Sequence, residues 1–186
     1  MLTARTISPG TLSAVPHASL RALRAALVRD LGVGFASMLQ EAGGAGGASL
    51  FQAFRAWCAE NGLAAPEQLP ISLFQESAAH FFAQAGWGAV SITSLGDAVV
   101  ALDAANWSES DPDAAMPYPS CYYSAGLLAD FFGHISDGQL WCQEVECRSS
   151  GAARCRFIVG SPEILGHVYQ RLAEGVGYED ALGELE

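Results

Sequence analysis

Apolar residues run at helical spacing up to Ala85 and then break into short stretches with strand character beyond Gly86-Trp87-Gly88. Over residues 19–39, Leu20, Leu23, Ala26, Leu27, Val28, Leu31, Phe35, Met38 and Leu39 follow a mostly helical period. They predict an amphipathic helix, with Gly32-Val33-Gly34 as the place where it can break. Residues 49–61 carry Leu50, Phe51, Phe54 and Trp57 and predict a second helix, stopped at Asn61-Gly62; residues 70–85 predict a third. Between the first two, Gly43-Gly44-Ala45-Gly46-Gly47 is expected to be a flexible loop, because each glycine weakens a helix by about 1 kcal/mol. The run has no Lys or Ser/Thr where a phosphate loop needs one, so no nucleotide is assigned to it.

Residues 89–94 and 97–103 read as two short antiparallel strands around a turn at Leu95-Gly96-Asp97. Residues 106–119 are polar and proline-rich, which predicts a surface connection long enough to act as a lid over a pocket. An apolar helix over 121–134, a hairpin over 139–159 and a closing helix over 162–174, with Pro162 near its first turn, complete the chain. Helices before and after an antiparallel sheet indicate an α+β, or mixed α/β, architecture. The expected organisation is one domain over 1–186, with an N-terminal arm at 1–16 and the sheet and metal-site core at 86–160.

Composition narrows the function. A chain of 186 residues, 51% of them hydrophobic, can bury a full core. Its net charge of -11, from 20 acidic and 9 basic residues, repels phosphate backbones and argues against direct nucleic-acid binding. No uninterrupted apolar stretch reaches the ~18 residues that span a bilayer, and the start of the chain lacks a signal-peptide core. The five cysteines, an odd number, fit a reducing cytoplasm better than secretion.

Four residues carry the most specific chemistry. Cys121, Glu144, Cys147 and Cys155, spaced C-x22-E-x2-C-x7-C, supply three thiolates and a carboxylate, the ligand count of a closed tetrahedral zinc site. With every position taken by protein, such a site holds structure and leaves no place for substrate. The Ser149-Ser150-Gly151-Ala152 turn would bring Cys147 and Cys155 together across a hairpin. Cys121 falls at the first turn of a helix, where the dipole favours a thiolate. Glu144 and Cys147 differ in strand parity, so a bend or bulge must re-aim one of them, and Glu146 or Cys142 stays open as a substitute ligand.

The run Cys121-Tyr122-Tyr123-Ser124-Ala125-Gly126-Leu127-Leu128-Ala129, the Glu144-x-x-Cys147 pair and Gly151-Ala152-Ala153-Arg154-Cys155-Arg156-Phe157-Ile158-Val159 resemble the 4-vinyl reductase domain family. That family includes phenol- and alkylbenzene-sensing domains of transcription activators, small archaeal hydrocarbon-binding proteins and a protein of bacteriochlorophyll synthesis. The resemblance implies zinc at the four residues, a fold related to TRAPP-type trafficking subunits, a homodimer, and a hydrophobic pocket beside the metal. The phenol sensors orient their ligand's hydroxyl with a His and a Trp placed before the first cysteine; His80 and Trp107 stand in comparable places here. His80 lies in Ser77-Ala78-Ala79-His80-Phe81-Phe82, taken as an apolar helix face. Phe74, Phe81, Tyr122, Tyr123 and Trp141 are the expected walls, in keeping with the apolar lining of small-molecule pockets.

Enzyme readings lack their residues: Gly-x-Ser-x-Gly, His-Glu-x-x-His and Gly-x-Gly-x-x-Gly are all missing. His134 at a helix end, His167 near a helix start and His17 in the N-terminal arm form no catalytic pattern. The expectation is a non-enzymatic, zinc-stabilised sensor or carrier of a small hydrophobic or aromatic molecule, passing its output to a protein partner. The alternative is an accessory protein of tetrapyrrole metabolism, binding a bacteriochlorophyll precursor or haem.

Overall fold

In a computed structural model that describes residues 12–13, 15–136 and 138–185, four antiparallel strands stand in the order β1-β2-β4-β3. They are β1 (Val90–Leu95), β2 (Val99–Ala104), β3 (Trp141–Glu146) and β4 (Cys155–Gly160). Before the sheet come α1 (His17–Leu31), α2 (Phe35–Glu60) and α3 (Ile71–Gln84); α4 (Tyr122–Gly133) separates the two hairpins, and α5 (Pro162–Ala173) and α6 (Tyr178–Gly183) follow. The mixed α/β class is as expected. The N-terminal arm lies mostly outside the described residues.

Strand alternation sorts the side chains into two layers. Val100, Leu102 and Ala104 pair with Val159, Phe157 and Cys155 and face the larger core, which α2, α3 and α4 complete with Phe51, Phe54, Trp57, Phe74, Phe81, Phe82, Phe131 and Phe132. On the opposite face, Val99 and Ile158 pack against Leu165, Val168 and Ala181 of α5 and α6. Beside them Arg156 holds Asp103 at 2.7 Å and receives support from Tyr178, whose hydroxyl also donates to Glu146 at 2.8 Å. Ser161 caps α5, accepting from the Ile164 amide. The short α6 had no sequence signal of its own.

The expected break at Gly32–Gly34 is present as a 3-10 turn, and Gly62, at φ +73°, ends α2. The glycine run is a correction. Gly43 to Gly47 is not a loop but the middle of α2, where it lies against α4. A Cβ at Gly43 would overlap the Tyr123 carbonyl, one at Gly47 would meet Asp130, and one at Gly126 would overlap the Gln40 carbonyl. Helix propensity disfavours this sequence, but the two backbones can approach this closely only without side chains. Tertiary packing outweighs a propensity cost of about 1 kcal/mol per glycine.

Candidate metal centre and apolar cavity

α4 runs from one end of the sheet to the other, and a different kind of site sits at each end. At its N-terminal end, Cys121 is the N-cap residue; Cys147 follows β3, Cys155 opens β4 and Glu144 lies within β3. One ligand atom from each of the four lies within 4.8 Å of the others, and all four residues are buried. The Sγ atoms of Cys121 and Cys147 are 3.8 Å apart. Two sulfurs bound tetrahedrally at ~2.3 Å from one zinc would stand about 3.8 Å apart.

The parity mismatch in β3 is solved as the sequence required. The register shifts between Glu144 and Glu146: Glu144 pairs with Phe157 on the core face, whereas Glu146 pairs with Arg156 on the opposite one. This irregularity turns Glu146 out to Arg154 and Tyr178 and lets Cys147 join the cluster. Glu146 is thereby committed elsewhere. Cys142 is buried in the core and lies outside the cluster.

Electrostatics fit a cation here. Glu144 Oε2 accepts the Cys121 amide at 2.8 Å, while Oε1 is buried with no hydrogen-bond partner. Burial, then the neighbouring Cys147 charge, pushes the Glu144 carboxyl up to about 8. Burial likewise drives the Cys121 thiol well up, whereas hydrogen bonds from Cys121 and Cys155 pull Cys147 down. Four acidic groups packed together out of water can lose their protons together only if a positive ion replaces them. The residues present fit a metal, and three thiolates with one carboxylate is a donor set that suits zinc.

Glu109 was not foreseen. The segment expected to be a surface lid is instead buried from Trp107 to Ser110, and only its later part is exposed. The reason is non-local capping: the Glu109 carboxylate accepts the Tyr123 amide at 3.1 Å and the Ser124 amide at 2.8 Å, and also the Ser124 hydroxyl. It satisfies the free N–H groups of the first turn of α4 from a distant loop. Burial raises its carboxyl to about 7, against the lowering effect of those hydrogen bonds. No local pattern announces such a cap, because its partner amides are 14 and 15 residues away.

At the other end of α4 a cavity of about 440 Å³ opens between α3, the end of α4 and the sheet. Phe74, Ile92, Phe132, Ile135, Leu140 and Val159 give it an apolar wall, with Ser94, Asp97 and Ser136 among its polar lining groups. Of the residues expected to line a pocket, this cavity includes only Phe74. His80 is exposed and its Nδ1 bonds the Glu76 carbonyl at 2.9 Å. At about 100° per residue, the buried stripe of Phe74, Ser77, Ala78, Phe81 and Phe82 passes it by, so the neighbouring phenylalanines in sequence gave a false face. Trp107 is buried, donates its indole N–H to Ser124 Oγ at 2.7 Å and stacks with Trp87, which stacks in turn on Tyr123. Phe81 is core, Tyr122 sits edge-on to Phe35, and Trp141 is 48% exposed. The structure does not bring His80 and Trp107 to one cavity. No helix of the described residues is long and apolar enough to cross a membrane.

The family model of the 4-vinyl reductase domain matches residues 107–161, a span that holds all four cluster residues and Glu109. No curated protein matches the chain. Among solved structures, the phenol-responsive sensory domain of the transcription activator PoxR, determined with phenol, aligns at 16% identity over 82% of this chain and 77% of that one, with a TM-score of 0.65. A vinyl-4-reductase family protein from Methanocaldococcus jannaschii gives 20%, 80%, 82% and 0.52 in the same order. A trafficking protein particle complex subunit 3 from Naegleria fowleri, covalently bound to palmitic acid, gives 12%, 77%, 91% and 0.57. At these identities the likeness is one of fold. Both the family resemblance and the TRAPP-like architecture read from the sequence are borne out: the chain carries a 4-vinyl reductase domain, set within a fold shared by the phenol-responsive sensor and the trafficking subunit.

Proposed function

We propose that this chain is a sensing domain for a small molecule, that its ligand is a compact hydrophobic or aromatic compound, and that zinc at Cys121, Glu144, Cys147 and Cys155 braces the far end of the helix that touches it. The observation that carries the reading is the 440 Å³ cavity at the C-terminal end of α4, whose volume and apolar wall are those of a small-ligand site. The similarity to a phenol-responsive sensory domain supports it. Nothing in the neighbouring proteins favours the tetrapyrrole alternative. The four metal ligands leave no open position, so zinc would contribute stability and supply no chemistry.

The cytoplasm, where thiolates stay reduced, suits the cluster. A homodimer fits the same reading, since Leu23, Leu31 and Met38 are exposed on α1 and α2, and a changed dimer surface would transmit ligand binding to a protein partner. Sedimentation at micromolar concentration tests that part.

Calorimetric titration with phenol, toluene and benzoate tests the ligand. The expected result is binding of phenol and toluene to wild type, a loss of at least tenfold in Ile135→Phe, which fills the cavity, and unchanged binding in His80→Ala. If no compact aromatic binds, or Ile135→Phe binds as well as wild type, the reading fails.

A further inference from the structure

Arg24 is the one buried residue of α1, only 5% exposed, on a helix that otherwise presents Leu23 and Leu31 to solvent. Its guanidinium reaches across the molecule. Nη1 donates to the Glu109 carbonyl at 3.1 Å, and Nη1 and Nη2 both approach Ser149 Oγ at 3.4 Å. Ser149 is itself fully buried, in the turn between Cys147 and Cys155, and its Oγ also accepts the Asp111 amide at 2.9 Å.

Hydrogen-bond accounting decides where the Ser149 proton goes. A serine hydroxyl has one proton to give and two lone pairs to receive with. Arg24 occupies one lone pair and the Asp111 amide the other. The proton is left for the remaining polar neighbour, the Cys147 sulfur, to which the Ser149 side chain is hydrogen-bonded. A donor aimed at a sulfur favours the thiolate, the form that binds metal.

We infer that Arg24 and Ser149 form an outer support for the metal centre, in which α1 orients the Ser149 hydroxyl onto Cys147 and metal binding in turn holds α1 against the body of the domain. The inference rests on the reading of the cluster as a metal site. Linkage makes the coupling reciprocal: whatever α1 docking adds to metal affinity, the metal adds to α1 docking. Side chains that orient metal ligands typically change affinity by about 10- to 100-fold when removed. In this chain the support comes from a helix that precedes the first ligand by nearly a hundred residues, so the N-terminal segment becomes a reporter of metal occupancy.

The test uses zinc-loaded full-length protein, with two readouts. Zinc transfer to a chromogenic chelator is timed for wild type, Arg24→Ala, Arg24→Lys and Ser149→Ala. Amide hydrogen exchange is followed over residues 17–31 with and without zinc. The expected result is release about tenfold faster in Arg24→Ala and Ser149→Ala, partial rescue in Arg24→Lys, and faster exchange of α1 both in Arg24→Ala and after zinc removal from wild type. Ser149→Ala removes a single oxygen and keeps the informative comparison if Arg24→Ala does not fold. Release at the wild-type rate in both variants, or α1 exchange indifferent to zinc, overturns the proposal while leaving the metal site standing. A wild type that takes up no zinc overturns both together.

Discussion

At one end of α4, Cys121, Glu109 and Glu144 are polar groups buried together and tied by short hydrogen bonds; at the other, Phe132 and Ile135 face a cavity lined mostly by apolar side chains. The first end is specified by direction: each donor and acceptor must meet a particular partner, and an unmatched one costs about 1 to 3 kcal/mol. The second end is specified by volume and apolarity, which many side chains supply equally well. A molecule built this way holds its helix firmly at one end and leaves space beside the other. That is a useful division for a sensor, since a ligand can act on the less tightly packed end without disturbing the anchor.

Removing a metal ligand should break the contrast most severely. Binding energy at a structural site is folding energy, on the order of 10 kcal/mol for zinc in small domains. Cys147→Ala is therefore expected to lose the metal and destabilise the fold by more than about 5 kcal/mol. Cys58→Ser, in the core but outside the cluster, should cost about 1 to 3 kcal/mol, the range for burying a hydroxyl. Metal analysis and denaturant unfolding measure both; equal losses would mean that the cluster is ordinary core.

The next effect sharpens the comparison at the middle of α4. Gly126→Ala places a methyl group against the Gln40 carbonyl of α2 and should cost about 3 kcal/mol, the upper part of the overpacking range. Gly166→Ala on α5 meets nothing within 4 Å and should stabilise by up to about 1 kcal/mol through helix propensity. Melts of the two variants moving the same way would show that the α2–α4 contact is looser than the backbone approach requires.

The smallest expected change is a slope. Glu109 has its carboxyl raised to about 7 by burial, so the folded state holds a proton that the unfolded chain releases near the ordinary carboxylate range. Its contribution to stability is full below that range and is lost as pH rises toward about 7. Glu109→Gln keeps one acceptor oxygen and should remove that part of the pH dependence, at a cost of about 1 to 2 kcal/mol for the weakened cap. Metal-ligand protonation acts in the opposite sense, so the informative quantity is the difference between variant and wild type, each zinc-loaded. A parallel pH profile for the two proteins would place the Glu109 charge elsewhere in the balance.

The metal end was legible because ligand chemistry leaves its mark in spacing. Three cysteines and a glutamate stood at fixed intervals, and the clash of strand parity between Glu144 and Cys147 correctly required an irregularity in β3. The cavity end left no such mark. His80 was placed on an apolar face because its sequence neighbours are phenylalanines, yet the helix turns it to solvent. Gly43 to Gly47 was read as a loop because propensity is a local quantity, and the helix that favours those glycines, α4, lies far along the chain.

By itself the sequence determined the order of helices and strands, the antiparallel pairing of both hairpins, the family and the four residues of the cluster, since each depends on periodicity or spacing within a short stretch. Only the tertiary structure decided that Glu109 caps α4, that Arg24 reaches Ser149 across 125 residues, that a glycine seam runs through a helix, and that the open space lies at the opposite end from the metal ligands. These features depend on which distant surfaces meet. A buried polar group or a missing side chain is satisfied by its neighbours in space, and those neighbours are chosen by the packing of the whole chain.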